Sequence, residues 1–175
     1  MAKIMVIRHA EKPNGEPGVM PDGTENPEAL TATGWKRAEA LVGLFDPPDG
    51  SFAPHLARPE RLFASGSNSL RPRQTLAPLS EALKLAIDAT FLKGQESRLV
   101  AAAKSAGGVV LIAWQHEAIP EIASLIRGSP AGIPATWPGR RYDMVWVFDS
   151  EGGDIWSFSQ TPELVLPGDS PAPIG

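Results

Sequence analysis

The sequence predicts a three-layer α/β/α domain, a mostly parallel sheet flanked by helices on both faces. Three observations lead there. Short apolar runs rich in β-branched residues recur along the 175 residues, segments of helical periodicity lie between them, and two of the runs lead directly to a histidine motif. The first run, KIMVI at 3–7, ends at Arg8-His9 and reads as a buried strand whose carboxyl end carries chemistry. Residues 13–27 are rich in proline and glycine without apolar periodicity, so they read as a loop at the mouth of any pocket. Thr33-Gly34 opens a helical pattern with Trp35, Ala38, Leu41, Val42 and Phe45 on one face, and Pro47-Pro48 stops it.

RLFAS at 61–65 reads as a second buried strand. A helix from Arg71 or Pro72 to Leu85 follows, with proline tolerated in its first turn and a stripe of Leu76, Leu79 and Leu83. Residues 97–106 form a third helix closed by Gly107-Gly108, VVLIAW at 109–114 is the strongest strand, and 117–127 is a fourth helix. Residues 142–148 and 155–159, on either side of SEGGD, read as a terminal hairpin. The expected organisation is one domain over 1–161 and a frayed proline-rich tail over 162–175. Trp35, Trp114, Trp146 and Trp156 fall within helix or strand patterns and are expected to pack, while His55, in a proline-flanked loop, is expected at the surface.

Composition removes several classes of function. There is no cysteine, which excludes disulfides, thiolate metal sites and cysteine nucleophiles. A net charge of −4 argues against a surface that tracks nucleic acid or anionic lipid, although a local basic pocket is compatible with it. The apolar run at the amino end is too short for a signal-peptide core, and no stretch reaches the ~18 apolar residues of a membrane span, so a soluble cytoplasmic protein is expected. Oligomeric state is left open.

In parallel α/β sheets ligands bind beyond the carboxyl ends of the strands. Arg8-His9 follows the first strand, Arg71 and Arg73 open the helix after the second, and His116 follows VVLIAW, so three strand ends can converge on one polar pocket. Arginine forks match phosphate oxygens, and a neutral imidazole is a competent nucleophile toward phosphorus. A metal site built from His9, Glu11, His116 and Glu117 fits poorly, because its spacing matches no usual metal motif and Arg8 and Arg71 would repel a cation. Trp137-Pro138-Gly139-Arg140-Arg141 is a loop whose arginines could add cations to the pocket rim.

Four segments, in order over residues 4–120, resemble the histidine phosphatase superfamily, which is phosphoglycerate mutase-like in fold. VIRHAEK resembles its Arg-His-Gly signature, LTATGWKRAEAL its Leu-Thr-x-x-Gly helix start, SNSLRPRQTL its Ser-x-x-x-Arg-Ala-x-Gln-Thr segment, and WQHEAIP its last histidine motif. The resemblance implies a phosphatase that needs no cofactor or metal, a phosphohistidine intermediate on His9, and a small phosphorylated substrate held by Arg8, Arg71 and His116. Arg71 matches by register, four residues after Ser67 and four before Thr75, whereas Arg73 falls on a variable position. Two positions depart from the pattern: Ala10 and Gln115 stand where glycine is usual. For the acid that protonates the leaving group, Glu96 is the first candidate, followed by Glu117 and Glu11. The alternatives are a phosphoglycerate mutase-type transfer, which the short chain disfavours, and a phospholigand-binding module without turnover.

Overall fold

A computed structural model describes all 175 residues. The element order is β1 (Lys3–Arg8), α1 (Ala32–Phe45), β2 (Arg61–Ala64), α2 (Arg71–Leu83), β3 (Ile87–Asp88), α3 (Glu96–Ala106), β4 (Val109–Trp114), α4 (Ile119–Arg127), β5 (Met144–Gly152) and β6 (Ile155–Pro162). The six strands lie in the order β3-β2-β4-β1-β5-β6. β1, β2, β3 and β4 run parallel, and β5 and β6 add an antiparallel hairpin at one side. No helix is long and apolar enough to cross a membrane.

Strand alternation builds the two cores. Ile4 and Val6 of β1 face α3 and α4, together with Val110, Ile112, Leu99, Ile122 and Ile126. Met5 and Ile7 face α1 and α2, with Leu111, Leu41, Phe45, Leu76 and Leu79. A slip of one residue in β1 would exchange the faces and turn Arg8 to the opposite side of the sheet. Register then aligns the carboxyl ends: Arg8 lies opposite Trp114, and Ala64 opposite Ala113. His9, Ser65 and Gln115 therefore leave the sheet side by side.

Local chemistry accounts for the element boundaries. Thr31 caps α1, its Oγ1 accepting from the Gly34 N–H at 3.1 Å, so the helix starts earlier than the Thr33-Gly34 expected from periodicity. A Cβ on Gly34 would lie 2.7 Å from the Glu11 carbonyl oxygen, so only glycine lets α1 come this close to the chain after His9. The helix expected over 117–127 is split into a 3₁₀ turn, His116–Ala118, and α4, because Pro120 fits the first helical turn but no position further in. Trp114, Trp146 and Trp156 are buried, Trp35 is half-buried, and His55 is exposed, as their patterns predict.

The frayed tail is a misreading. Glu163 and Ile174 are buried, Gln160 bonds both the N–H and the carbonyl of Ile174, and Asp169 pairs with Arg37. Composition reported the lack of helix or strand, but side-chain bonds hold the segment down instead.

Candidate active site

A cleft of about 390 Å³ opens at the carboxyl edge of the sheet, lined by Arg8, His9, Lys12, Ser69, Arg71, Gln115, His116 and Glu117. None of these side chains is hydrophobic. The four residues expected to converge, Arg8, His9, Arg71 and His116, all line it.

His9 is 4% exposed, and its Nδ1 lies 2.7 Å from the Ala10 carbonyl oxygen. A lone pair on Nδ1 would face the lone pairs of that carbonyl, so Nδ1 carries the proton and Nε2 keeps its free pair. Burial, helped by the charges of Arg8 and Arg71 and by His116, pushes the imidazole down to about 3, against the opposing Ala10 bond. The ring is therefore a neutral base at physiological pH. Ala10 holds the turn: its N–H donates to Thr75 Oγ1 at 2.8 Å, and Thr75 donates to the Arg71 carbonyl at 2.7 Å. Ala10 does not have positive φ, so alanine replaces glycine here without backbone strain.

Arg8 projects from the last position of β1. Its Nη1 donates to the carbonyls of Gly139 (2.7 Å) and Arg141 (3.0 Å), and Tyr142 covers its guanidinium at 3.8 Å. Nε and Nη2 are buried without partners. Burial, assisted by the charge of Arg71, lowers its pKa, although an arginine stays protonated under such shifts. Arg71 opens α2, gives Nη1 to the Pro27 carbonyl, and leaves Nε buried and unpartnered. Two cations with unpartnered donors line one cleft, an arrangement that suits an anion.

His116 Nδ1 lies 2.9 Å from Glu117 Oε2, and burial together with the charges of Arg8, Lys12 and Lys93 lowers its pKa. Burial alone would raise Glu117, but the hydrogen bond from Lys93 and the charges of His116 and Lys93 outweigh it and hold the carboxyl at about 2.

Several expected site residues lie elsewhere. Glu96, the first-choice acid, is buried outside the cleft, where Oε1 accepts from the Trp114 indole and from the Gly94 N–H, both at 3.0 Å. Glu11 turns to Arg37 and lines a neighbouring cavity. Glu11 therefore does not meet His9, His116 and Glu117 at a point, and no group of three His, Asp or Glu side chains gathers as a metal site requires. Arg140 is exposed outside the cleft. Arg141 turns to Asp143 and to the Ser170 and Ala172 carbonyls, so it serves the cleft only through its main-chain oxygen. Sequence reasoning missed Lys12, Ser69 and Tyr142. The first two stand close to motif residues, and Tyr142, the chain's one tyrosine, follows the paired arginines.

No family model and no curated protein matches this sequence. Solved structures do match its fold. The protein histidine phosphatase SixA, complexed with tungstate, superposes with a TM-score of 0.58 at 16% identity, over 92% of this chain and 97% of that one. A mycobacterial glucosyl-3-phosphoglycerate phosphatase in complex with VO3 gives 0.56 at 12% identity, over 90% and 97%. The alpha-ribazole phosphatase of Shigella flexneri gives 0.58 at 13% identity, over 90% and 94%. The chain has the fold of the histidine phosphatase superfamily.

Proposed function

We propose that the protein is a metal-independent phosphatase that moves a phosphoryl group from a phosphomonoester or phosphoramidate to His9 and then to water. One observation carries this reading: a buried neutral imidazole, its Nε2 pair free, stands in a cleft with two arginines whose donors are unpartnered. The Nε2 pair attacks phosphorus, the bond to the leaving oxygen or nitrogen breaks, and the leaving atom takes up a proton. Water then attacks the phosphohistidine and loses a proton, which frees His9 and inorganic phosphate. Arg8, Arg71 and His116 act on the equatorial oxygens by electrostatics set up before the substrate arrives.

With Glu96 buried outside the cleft and Glu11 bound to Arg37, Glu117 is the one carboxylate left to supply the leaving-group proton. It is ionised while Lys93 and His116 hold it, and the negative charge of a bound phosphoryl group favours its protonated form. That resting ionisation also favours a second reading, a module that binds phospholigands without turnover.

Brief mixing with a labelled phosphodonor followed by an alkaline quench separates the two, because phosphoramidates survive base. Label should be trapped on His9, and His9→Ala should lose both label and turnover. Label on another residue, or full turnover in His9→Ala, would overturn the phosphatase reading. Oxyanion binding without any label would favour the binding module.

A further inference from the structure

Gln115 departs from the superfamily pattern, and nothing in the mechanism above uses it. It is 7% exposed, lines the cleft, and leaves Oε1 buried without a partner. Its Nε2 stands 3.1 Å from Ser65 Oγ, which lies 2.9 Å from Ser67 Oγ. Ser67 Oγ in turn accepts from the Lys93 N–H at 2.9 Å.

The amide has two orientations related by a half-turn, and they present opposite chemistry to the cleft. With Nε2 toward Ser65, Oε1 is left buried without a donor in a residue that lines the cleft. Beside Arg8 and Arg71 that is tolerable while the cleft is empty, but a phosphoryl oxygen would meet it lone pair to lone pair. After the half-turn Oε1 and both hydroxyls are paired, and only the amide N–H awaits a partner. Lys93 N–H donates to Ser67 Oγ, Ser67 O–H to Ser65 Oγ, Ser65 O–H to Gln115 Oε1, and the Gln115 amide N–H is free to donate into the cleft. Both hydroxyls can donate or accept, so reversing the chain only rotates two O–H bonds.

We propose that Gln115 binds substrate as a third, uncharged donor to the phosphoryl group, its amide held in the donating orientation by Ser65 and Ser67. The assignment rests on the phosphoryl-site reading of the cleft. It makes Gln115 a specificity element for phosphoryl oxygens, present in this chain where the family pattern has only a glycine.

The test compares vanadate binding by calorimetry in the wild type, Gln115→Met (similar size, no donor) and Gln115→Gly, with melting temperatures verifying that each variant folds. Loss of a hydrogen bond to a charged group predicts vanadate affinity about tenfold to a hundredfold weaker in both variants. In wild-type protein labelled with ¹⁵N at glutamine side chains, one amide pair should shift on vanadate addition, and that pair should be missing from the Gln115→Met spectrum. If both variants bind vanadate as the wild type does, or no glutamine amide responds in the wild type, the Gln115 assignment falls while the phosphatase reading stands. If wild-type protein binds neither vanadate nor phosphate, the phosphoryl-site reading falls with it.

Discussion

Two groups of arginine lie near the same edge of the sheet and do opposite things. Arg37 of α1 gives Nε to Glu11 (2.9 Å), Nη1 to Glu163 (2.7 Å) and Nη2 to Asp169 (2.8 Å), so its donors are taken by carboxylates. Arg8 and Arg71 meet only neutral carbonyls and keep idle donors. A guanidinium surrounded by carboxylates closes a structure, whereas one left short of anions in a polar cleft is poised for a ligand. The charges are lopsided in opposite senses: the cleft has excess positive charge, and the Arg37 cluster has three carboxylates for one cation. Glu163 absorbs the excess, since complete burial and the charges of Asp169 and Glu11 push it up to about 8 despite Arg37.

Exchanging the two roles by mutation probes this contrast. The largest effect should follow Arg37→Ala, which strands buried carboxylates and should cost about 3–5 kcal/mol of folding stability, read as a lowered melting temperature. Arg71→Ala should do the reverse: melting stays close to wild type, while kcat/KM falls on the order of 10²–10³, the usual loss for one preorganised donor. Vanadate should raise the wild-type melting temperature and raise that of Arg71→Ala far less. An Arg71→Ala protein that melts early but turns over normally would erase the distinction.

The smallest effect concerns Glu163. Its folded value of about 8 exceeds its unfolded value of 4.5, so between these pH values the folded state holds a proton that the unfolded state has lost. Stability therefore falls as pH rises through that window, by at most ~1.4 kcal/mol per pH unit for one proton. Glu163→Gln should remove this component, so denaturant curves at pH 5 to 8 should show a flatter or rising trend. His9 has the opposite sign: its depressed value makes folding stronger as pH rises from about 3 toward 6.5, and Glu163→Gln should leave that limb unchanged.

Much of the cleft could be read from sequence because it is built from strand ends. A strand's carboxyl end shows as an apolar run breaking into polar residues, which marks His9 and His116, while the choice of Arg71 over Arg73 comes from the family resemblance through its spacing from Ser67 and Thr75. β3, with two residues, is too short to have a period. Glu96 and Arg141 were misassigned for another reason. Their partners, the Trp114 indole and the Ser170 and Ala172 carbonyls, are distant in sequence, and nothing local tells a carboxylate that faces solvent or substrate from one bonded to an indole. The tail failed on the same ground, since its anchors Arg37 and Asp143 lie far upstream.

That anchoring bears on how the protein is made. Synthesis runs from the amino end, so the strand that leads to His9 leaves the ribosome well before Glu163 and Asp169, the side chains that bond Arg37. Until they emerge, Arg37 has only Glu11, two residues from His9, and the loop whose Arg141 carbonyl receives Arg8 lacks the Ser170 and Ala172 oxygens that tie it down. A nascent chain stalled before residue 163 therefore has every side chain of the cleft but lacks the groups that tie down Arg37 and Arg141, and oxyanion affinity should arise only once residues 163–172 have emerged.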